Sequence, residues 1–347
     1  MPRRGKESPV GKSGAVGAMA AAASFVIVDD SSAGQRLDNF LATHLKGVPK
    51  SHVYRIVRSG EVRVNKGRVD AAYRLEMDDL VRIPPVRIAE KSQNPSIDAA
   101  SRAFLAGKAG NTRGLALDIL HEDDALLAIN KPAGMAVHGG SGISFGVIEG
   151  LRVIRPEAKF LELVHRIDRE TSGVLLIAKK RIALTAMHAL LRGESTQRIE
   201  KRYYALVKGN WPDERRHIRT RLAKYVTVAG ERRVAVDEDE GQESHTIVTR
   251  VEKLAGATLL DCEIRTGRTH QIRVHLGSTG FPIIGDDKYG DFALNKQVAA
   301  VRHGGLKRMF LHARLMAFPH PQTGEKMVIE APLSADLEKY LDYLRRD

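Results

Sequence analysis

The sequence holds a single cysteine, Cys262, so no intramolecular disulfide can close, and without CxxC or Cys/His clusters the usual structural zinc site has no ligands. A reducing compartment, the cytoplasm, is expected. Long apolar runs are also missing. The best candidate, AVGAMAAAASFVIV from Ala15, is mostly Ala and Gly and falls short of the roughly 18 residues that span a bilayer, so no membrane partner is expected. Arg3, Arg4 and Lys6 ahead of it imitate a secretory signal, but its apolar end flows into a patterned domain, which reads as a tail followed by a first strand. There is no GxGxxG or GxxxxGK[ST] loop. His270 and His275 lack zincin spacing, and the acidic run Asp237 to Glu240 lacks EF-hand spacing and reads as a solvated turn, so neither cofactor nor metal is expected. HRIDRE echoes the kinase HRD, yet no glycine-rich ATP loop, DFG or APE accompanies it. No repeat marks a solenoid.

What is present is positive charge on an otherwise ordinary globular composition. Lys+Arg 55 against Asp+Glu 42 gives +13, with 43% hydrophobic residues and a pI near 9.8, so the expected partner is a polyanion, nucleic acid first. At about 150 residues per domain, 347 residues suggest two domains. Residues 1–23 are rich in Gly, Ala, Ser and Lys and are expected to be a disordered tail. Residues 91–114 have linker composition around a short helix near Phe104.

Between them, residues 24–90 read as a small α+β module. QRLDNFLATHLK sets Leu37, Phe40, Leu41 and Leu45 at helical spacing, and Lys50 opens a second helix with Val53, Ile56 and Val57 inward, stopped by Gly60. EVRVNKGRV alternates as a strand that turns at Asn65 to Gly67, and LVRIPP supplies another. From Lys46 to Arg68 there are seven basic residues against Glu61 alone, a phosphate-facing surface. RLDNFL, KSHVYRIVRSGEVRVN and DDLVRIPP resemble the S4 RNA-binding domain. The resemblance implies RNA contacts by Arg36, Lys50, Arg55, Arg58 and Lys66.

Residues 115–347 form the second domain. Strand-like ILHEDDALLAINKP leads through the glycine-rich HGGSG at His138 to a helix, VIEGLRVIRP, and then FLELVHRI and GVLLIAKK read as strands joined by DRETS. A helix runs from Ile182 to Leu191. KRYYALVKG, VTVAG, RRVAVD, TIVTRVEKL, TLLDCEIR and FLHARLMAFP follow as strands, with a helix after Gly267 and a last one from Ser334 presenting Leu337, Tyr340, Leu341 and Leu344 to the core. Adjacent strands on tight loops predict an α+β class with a mixed, largely antiparallel sheet.

In HRIDRETSG a carboxylate, Asp168, leaves a strand end between Arg166 and Arg169, neighbours able to keep it ionised as a nucleophile or base. The loop resembles the HRLDxxTSG signature of the RluA/RluC family of RNA pseudouridine synthases, with Ile167 for the usual Leu. NKPAG, KRYYALVKG and TGRTHQIRVH match in order, so the resemblance spans roughly residues 24–347. It implies exchange of a C–N for a C–C glycosidic bond in a flipped uridine, with nothing oxidised and no group imported. It also implies a substrate in 23S ribosomal RNA, naked or in an assembly intermediate, and a monomer without cofactor. The essential aspartate maps to Asp168, attacking C1′ or removing a ribose proton on the way to a glycal. Tyr203 maps to the active-site tyrosine, its ring stacking on uracil and its hydroxyl near the proton leaving C5, with Tyr204 on the opposite face. Arg273 maps to the basic partner, expected as a bidentate pair with Asp168. Arg166 is expected to fill the space left by the flipped base, and Thr171 and Arg268 to contact substrate.

Overall fold

The computed structural model describes residues 23–29, 32–45, 48–86, 118–139, 145–228, 230–301 and 304–346. Apart from Ala23, the expected tail and all of the linker 91–114 lie outside the described residues, as do Lys46 and residues 140–142 of the HGGSG loop. The chain divides into two compact units, 1–91 and 92–347.

The first unit is a three-stranded antiparallel sheet of β1 (Ser24–Ile27), β2 (Arg63–Val64) and β3 (Leu80–Ile83) in the order β1-β3-β2, with helices α1 (Leu37–His44) and α2 (Lys50–Arg58). The helical spacing buries Leu37, Phe40 and Leu41 of α1 and Val53, Ile56 and Val57 of α2 with Val81 in one core. Gly60, at φ +73, takes the left-handed position that ends α2. The alternating stretch after it is a strand only at Arg63–Val64, because Asn65 and Lys66 adopt φ of 48 and 69. Asn65 holds that turn by donating Nδ2 to Asp79 (2.7 Å) and accepting the Leu80 amide (2.9 Å).

In the second unit, β4 (Asp118–Glu122), β5 (Leu126–Lys131), β6 (Glu162–Leu163), β7 (Ser172–Ala178), β8 (Glu200–Lys208), β9 (Arg215–Val226), β10 (Arg232–Val236), β11 (Gln242–Leu254), β12 (Ala257–Ile264), β13 (Leu311–Pro319) and β14 (Lys326–Glu330) form one mixed sheet. Its path is β10-β9-β11-β12-β8-β13-β7-β5-β4, with β14 on β13 and β6 on β7. Every described ladder of this sheet is antiparallel except β13 with β7. The continuous apolar runs in β5 and β7 reflect burial on both faces. Leu127, Ile129, Leu175 and Ile177 pack on one side with Tyr203 and Cys262. Leu126, Ala128, Val174 and Leu176 pack on the other against Met187 and Leu190 of α4 (Arg181–Arg192). Helix α3 (Val147–Ile154) also lies on the first side, as does Ile272 of α5 (Gln271–Ser278), while α7 (Ala335–Arg346) buries Leu337, Tyr340, Leu341 and Leu344 beside Leu206 and Phe310.

Three sequence readings need correction. VTVAG is the tail of a strand and a turn, closed by Gly230 N–H to Thr227 O (2.8 Å), and the strand is the preceding RRHIRTRLAKYV. FLELVHRI pairs as a strand only at Glu162–Leu163. Helix α6 (Phe292–Ala300), capped by Asp291 accepting the Ala293 and Leu294 amides, was not anticipated, nor was β14.

Candidate active site

The loop carrying Asp168 leaves β6 and enters β7, and it is pinned along its length. At its start His165 Nε2 accepts the Leu176 amide (3.1 Å), so this imidazole is neutral, and burial holds its pKa near 3. At its middle the Arg169 carbonyl accepts from Gly134 N–H (2.8 Å) and from the Lys131 ammonium (3.1 Å). Lys131 is fully buried and also donates to the carbonyls of Pro132 and Met135 (both 2.8 Å), so NKPAG is a clamp on the catalytic loop. Burial pulls this lysine down to about 7, whereas three carbonyl acceptors favour its charged form.

At the loop's end, Ser172 sits where β7 meets β13 in parallel, paired with His312. Ala331 O can only accept, so His312 Nε2 donates to it (3.1 Å), and Nδ1 accepts from the Ser172 hydroxyl (2.9 Å). Arg308 in turn donates to Ser172 Oγ (2.7 Å). Gly173, at φ +109, approaches this junction so closely that a Cβ there would overlap the Ala313 carbonyl.

Asp168 itself is part-exposed and stands between two cavities. A small one of about 80 Å³ is walled by Tyr203, Thr171, Ile264 and Leu311, and a groove of about 450 Å³ runs past Val137, His138 and Lys288. Arg166, Ile167, Asp168, His270 and Arg273 border both. A larger cavity, about 510 Å³ between Arg198 and Lys326, contains none of these groups, so size does not mark the site.

The partners of Asp168 differ from those its sequence neighbours suggest. Arg169 pairs with Glu170 (2.8 Å), and Arg166 is exposed without an ion pair among the described residues. The groups facing the carboxylate are instead the Arg273 guanidinium, by Nη1 (3.6 Å), and the His270 imidazole (3.9 Å), whose pKa burial lowers. The expected bidentate fork of Arg273 is present but directed elsewhere. Nε and Nη2 donate to Asp286 at 2.7 and 2.6 Å, because the turn after α5 brings that buried carboxylate against the guanidinium. His270 precedes α5 at φ +53, with Nδ1 against the Tyr289 hydroxyl (2.8 Å).

Tyr203 is 9% exposed and points into the small cavity, whereas Tyr204 lies on the other face under the Arg314 guanidinium (4.9 Å). Burial and the charge of Asp168 push ionisation of Tyr203 far up, so the neutral phenol is the resident form and a phenolate base is disfavoured. Thr171 is buried, its amide donating to Asp168 O (3.1 Å). Arg268 is exposed at the rim, donating Nε to Glu243 O (3.0 Å). Arg36, Lys50, Arg55, Arg58 and Lys66 are all exposed in the first unit, where Arg36 is forked onto Asp38 (2.8 and 3.1 Å). His275 is buried between Ser244 and Thr246 and does structural work. Among the described residues no group of three or more His, Cys, Asp or Glu side chains could hold a metal ion, and no helix is long and apolar enough to cross a membrane.

Sequence reasoning missed Lys131, Ser172, His312, Arg308 and Asp286. Lys131 lay in a quoted motif, and its signal was a lysine ending a strand that opens with the apolar run Leu126 to Ile129. The others become legible only when distant segments meet.

The site therefore sets a part-exposed carboxylate beside a pocket walled by Tyr203, on a mixed sheet in a chain with a separate basic module. The RNA pseudouridylate synthase family profile matches residues 125–278 and the S4 domain profile residues 35–81. The chain belongs to the RNA pseudouridylate synthase family, enzymes that isomerise uridine in RNA to pseudouridine. It is 52% identical over 320 residues, 92% of this chain and 96% of the other, to the ribosomal large subunit pseudouridine synthase C of Escherichia coli K12. It is 50% identical over 323 residues (93% and 96%) to the protein of the same name from Haemophilus ducreyi. The fold is shared with human RNA pseudouridylate synthase domain containing 4, at TM-score 0.54 and 22% identity over 72% of this chain and 97% of that one.

Proposed function

We propose that this enzyme converts specific uridines of 23S ribosomal RNA to pseudouridine in the cytoplasm, with Asp168 carrying the reaction. The observation behind the site is the part-exposed Asp168 carboxylate between a small aromatic-walled cavity and an open groove. A flipped uracil enters the small cavity over Tyr203 while the strand lies along the groove. The carboxylate then faces the ribose, where attack on C1′ and removal of a ribose proton both require it ionised. The C1′–N1 bond breaks, the base turns, C1′–C5 forms, the C5 proton leaves and N1 takes up a proton, so the product is an isomer of the uridine. Arg273 steadies the carboxylate from one side. Arg166, an exposed cation with no carboxylate partner among the described residues, enters the gap left by the base, and Thr171 and Arg268 line the approach.

The choice of RNA rests on the names of the relatives, which are ribosomal large subunit enzymes over nearly the whole chain. The five exposed cations of the S4 unit supply affinity through phosphates, on free RNA or an assembly intermediate. Carbodiimide labelling with reverse-transcription stops, applied to cells lacking the protein, should show stops vanishing at particular 23S positions. Loss confined to transfer RNA would overturn this choice of substrate.

A further inference from the structure

Strand alternation sends Tyr203, Cys262, Val248 and Ile218 to the core on the side of the small cavity, and it sends a basic set to the reverse face of the same strands. The cross-strand register fixes that set. Arg219 of β9 stands opposite His245 of β11, and at the end of β12 the Arg265 amide donates to the His245 carbonyl (3.0 Å). One row along, His217 pairs with Ile247, Ile247 with Glu263, and Glu263 with Arg202 of β8. His245 Nε2 meets His217 Nδ1 (3.2 Å), and burial together with the charges of Arg219, His217 and Arg265 lowers the His245 pKa. The rows lead into the cavity of about 510 Å³ already described, which Arg198, Arg202, Arg265 and Lys326 line with Glu200 and Glu263. From β9 to β14 the path crosses five strand spacings, roughly 24 Å.

The positive charge on this face exceeds what its carboxylates can hold. Glu200 is taken by Arg202 (2.6 Å) and Glu263 by Arg265 (2.7 Å), while Glu243 stands opposite Arg221. Arg198, Arg215, Arg219 and Lys326 are exposed and have no ion pair among the described residues. Like charges opposed across a ladder weaken it, so such a row needs a reason. Edge protection supplies part of one, because β10 pairs with β9 only over Leu222 to Val226 among the described residues and leaves Arg215 to Arg219 on an open edge. It does not account for the cations that continue onto β11 and β12 and into the cavity. The arginines on either side of the His217–His245 pair repel a metal ion and favour an anion, and a guanidinium fork matches phosphate oxygens. A protein partner would need an apolar anchor at the centre, yet the one aromatic residue lining the cavity, Phe318, is buried.

We propose that the reverse face of the catalytic sheet is a second RNA-docking surface, where phosphates of a stretch of RNA remote from the target uridine run from Arg215 and Arg219 past Arg265 to Arg198 and Lys326. It lies wholly within the second unit, with the sheet between it and the Tyr203 cavity. A short hairpin seated at Asp168 cannot reach round to this face. A long folded RNA can, so the surface favours structured ribosomal RNA over an isolated stem-loop of the same sequence. This rests on the reading that the substrate is a large ribosomal RNA.

The test sets a long 23S transcript against a short stem-loop holding one target uridine, with equilibrium binding across salt and single-turnover conversion measured on both. Arg215→Ala with Arg219→Ala, and separately Arg198→Ala with Lys326→Ala, should each weaken binding to the long transcript by about threefold to thirtyfold and flatten the slope of log K against log salt by roughly one to two units. Stem-loop binding and conversion should stay within about twofold, because none of these phosphates is present there. Lys339→Ala, exposed on α7 and off this strip, controls for net charge and should leave both RNAs near wild type. A second measurement removes no charge. Cys262 is buried, so Thr249→Cys, exposed opposite Arg215, offers a reachable thiol, and an iron chelate tethered to it should cut the long transcript at nucleotides remote from the target. Unchanged affinity and salt slope in both double variants overturns the proposal and leaves an acidic protein as the occupant to seek. Equal losses on the stem-loop, or cuts confined to the nucleotides beside the target, overturn it as well, since they put these cations on the target strand. Failure of the wild-type enzyme to modify the 23S transcript while it modifies transfer RNA would instead overturn the choice of substrate.

Discussion

The first unit of this enzyme and its candidate active site handle positive charge in opposite ways. In the first, Lys50, Arg58 and Lys66 stand in solvent without an ion pair among the described residues, and exposed Arg55 has a loose 3.6 Å contact with Glu61 and a 3.1 Å one with His52. In the second, Lys131, Arg273 and Arg308 are largely buried, and each has defined acceptors. Phosphate affinity needs charge that can follow a variable backbone, and mobile exposed side chains serve that at little cost to the fold. Bond exchange at one carbon needs a carboxylate fixed to within a fraction of an ångström, which buried, fully bonded neighbours provide.

The sharpest way to test this contrast is Asp168→Asn. The amide is nearly isosteric but uncharged, so isomerisation should fall by at least about a thousandfold while RNA affinity stays within a few-fold. Normal pseudouridine yield would show that the carboxylate is dispensable.

Acid should separate the units next. His275 and His312 are fully buried, and burial holds both near pH 4, below the ordinary 6.5. Lowered values mean that the unfolded chain takes up protons first, so this stability is complete above about pH 6.5 and is lost as pH falls through about 4. At about 1.4 kcal/mol per unit, each should cost the catalytic unit roughly 2 kcal/mol at pH 5. Denaturant titrations at pH 7 and 5 measure it, and replacing His275 by Gln should shrink the difference by about 2 kcal/mol, with His165, held near 3, contributing alongside His312. Equal stability at the two pH values would mean that these imidazoles are not neutral partners.

Lys131→Met should have the next largest effect. It takes the ammonium from the Pro132 and Met135 carbonyls and leaves the Arg169 carbonyl with the Gly134 amide alone, so the loop carrying Asp168 loses one of its two central ties. We expect a drop in single-turnover rate of about tenfold or more, with a lower unfolding temperature and unchanged RNA affinity. Weaker RNA binding at normal rate would place the lysine in substrate contact instead.

Arg55→Ala with Arg58→Ala should do the least, and only to binding. Affinity for long ribosomal fragments should weaken, and the slope of log K against log salt should flatten by roughly one unit or less per lost phosphate contact. The rate at saturating RNA should hold. A collapsed rate with an intact salt slope would mean that the first unit contributes to the chemistry.

Local patterns were readable where one segment both forms and uses its structure. The helical stripe of Val53, Ile56 and Val57, the apolar runs of β5 and β7 and the HRIDRETSG loop all carried their own signal. Strand β9 hid because only Ile218 and Leu222 among its residues are buried, and its Arg and His residues read as a polar loop. Helix α6 hid because only Val298 is buried, leaving no stripe. The partners of Asp168 were legible only in part. Adjacent arginines suggested an ion pair that chain geometry directs away, while Arg273, expected from the resemblance as a bidentate partner, meets the carboxylate by Nη1 alone. Asp286 carried no signal in the sequence, because its pairing with Arg273 exists only in the tertiary structure.

The parallel seam between β7 and β13 has a consequence for synthesis. The Ser172 hydroxyl that ends the catalytic loop finds its acceptor on His312, 140 residues later. Strand β13 also lies between β7 and β8, separating the strand that follows Asp168 from the strand that carries Tyr203. While the chain is growing on a ribosome, these two segments have no sheet to share until residues 311–319 emerge. A growing chain therefore lacks the strand that joins these two segments, and a chain cut before residue 311 keeps every proposed catalytic side chain without the sheet that gives them a common site.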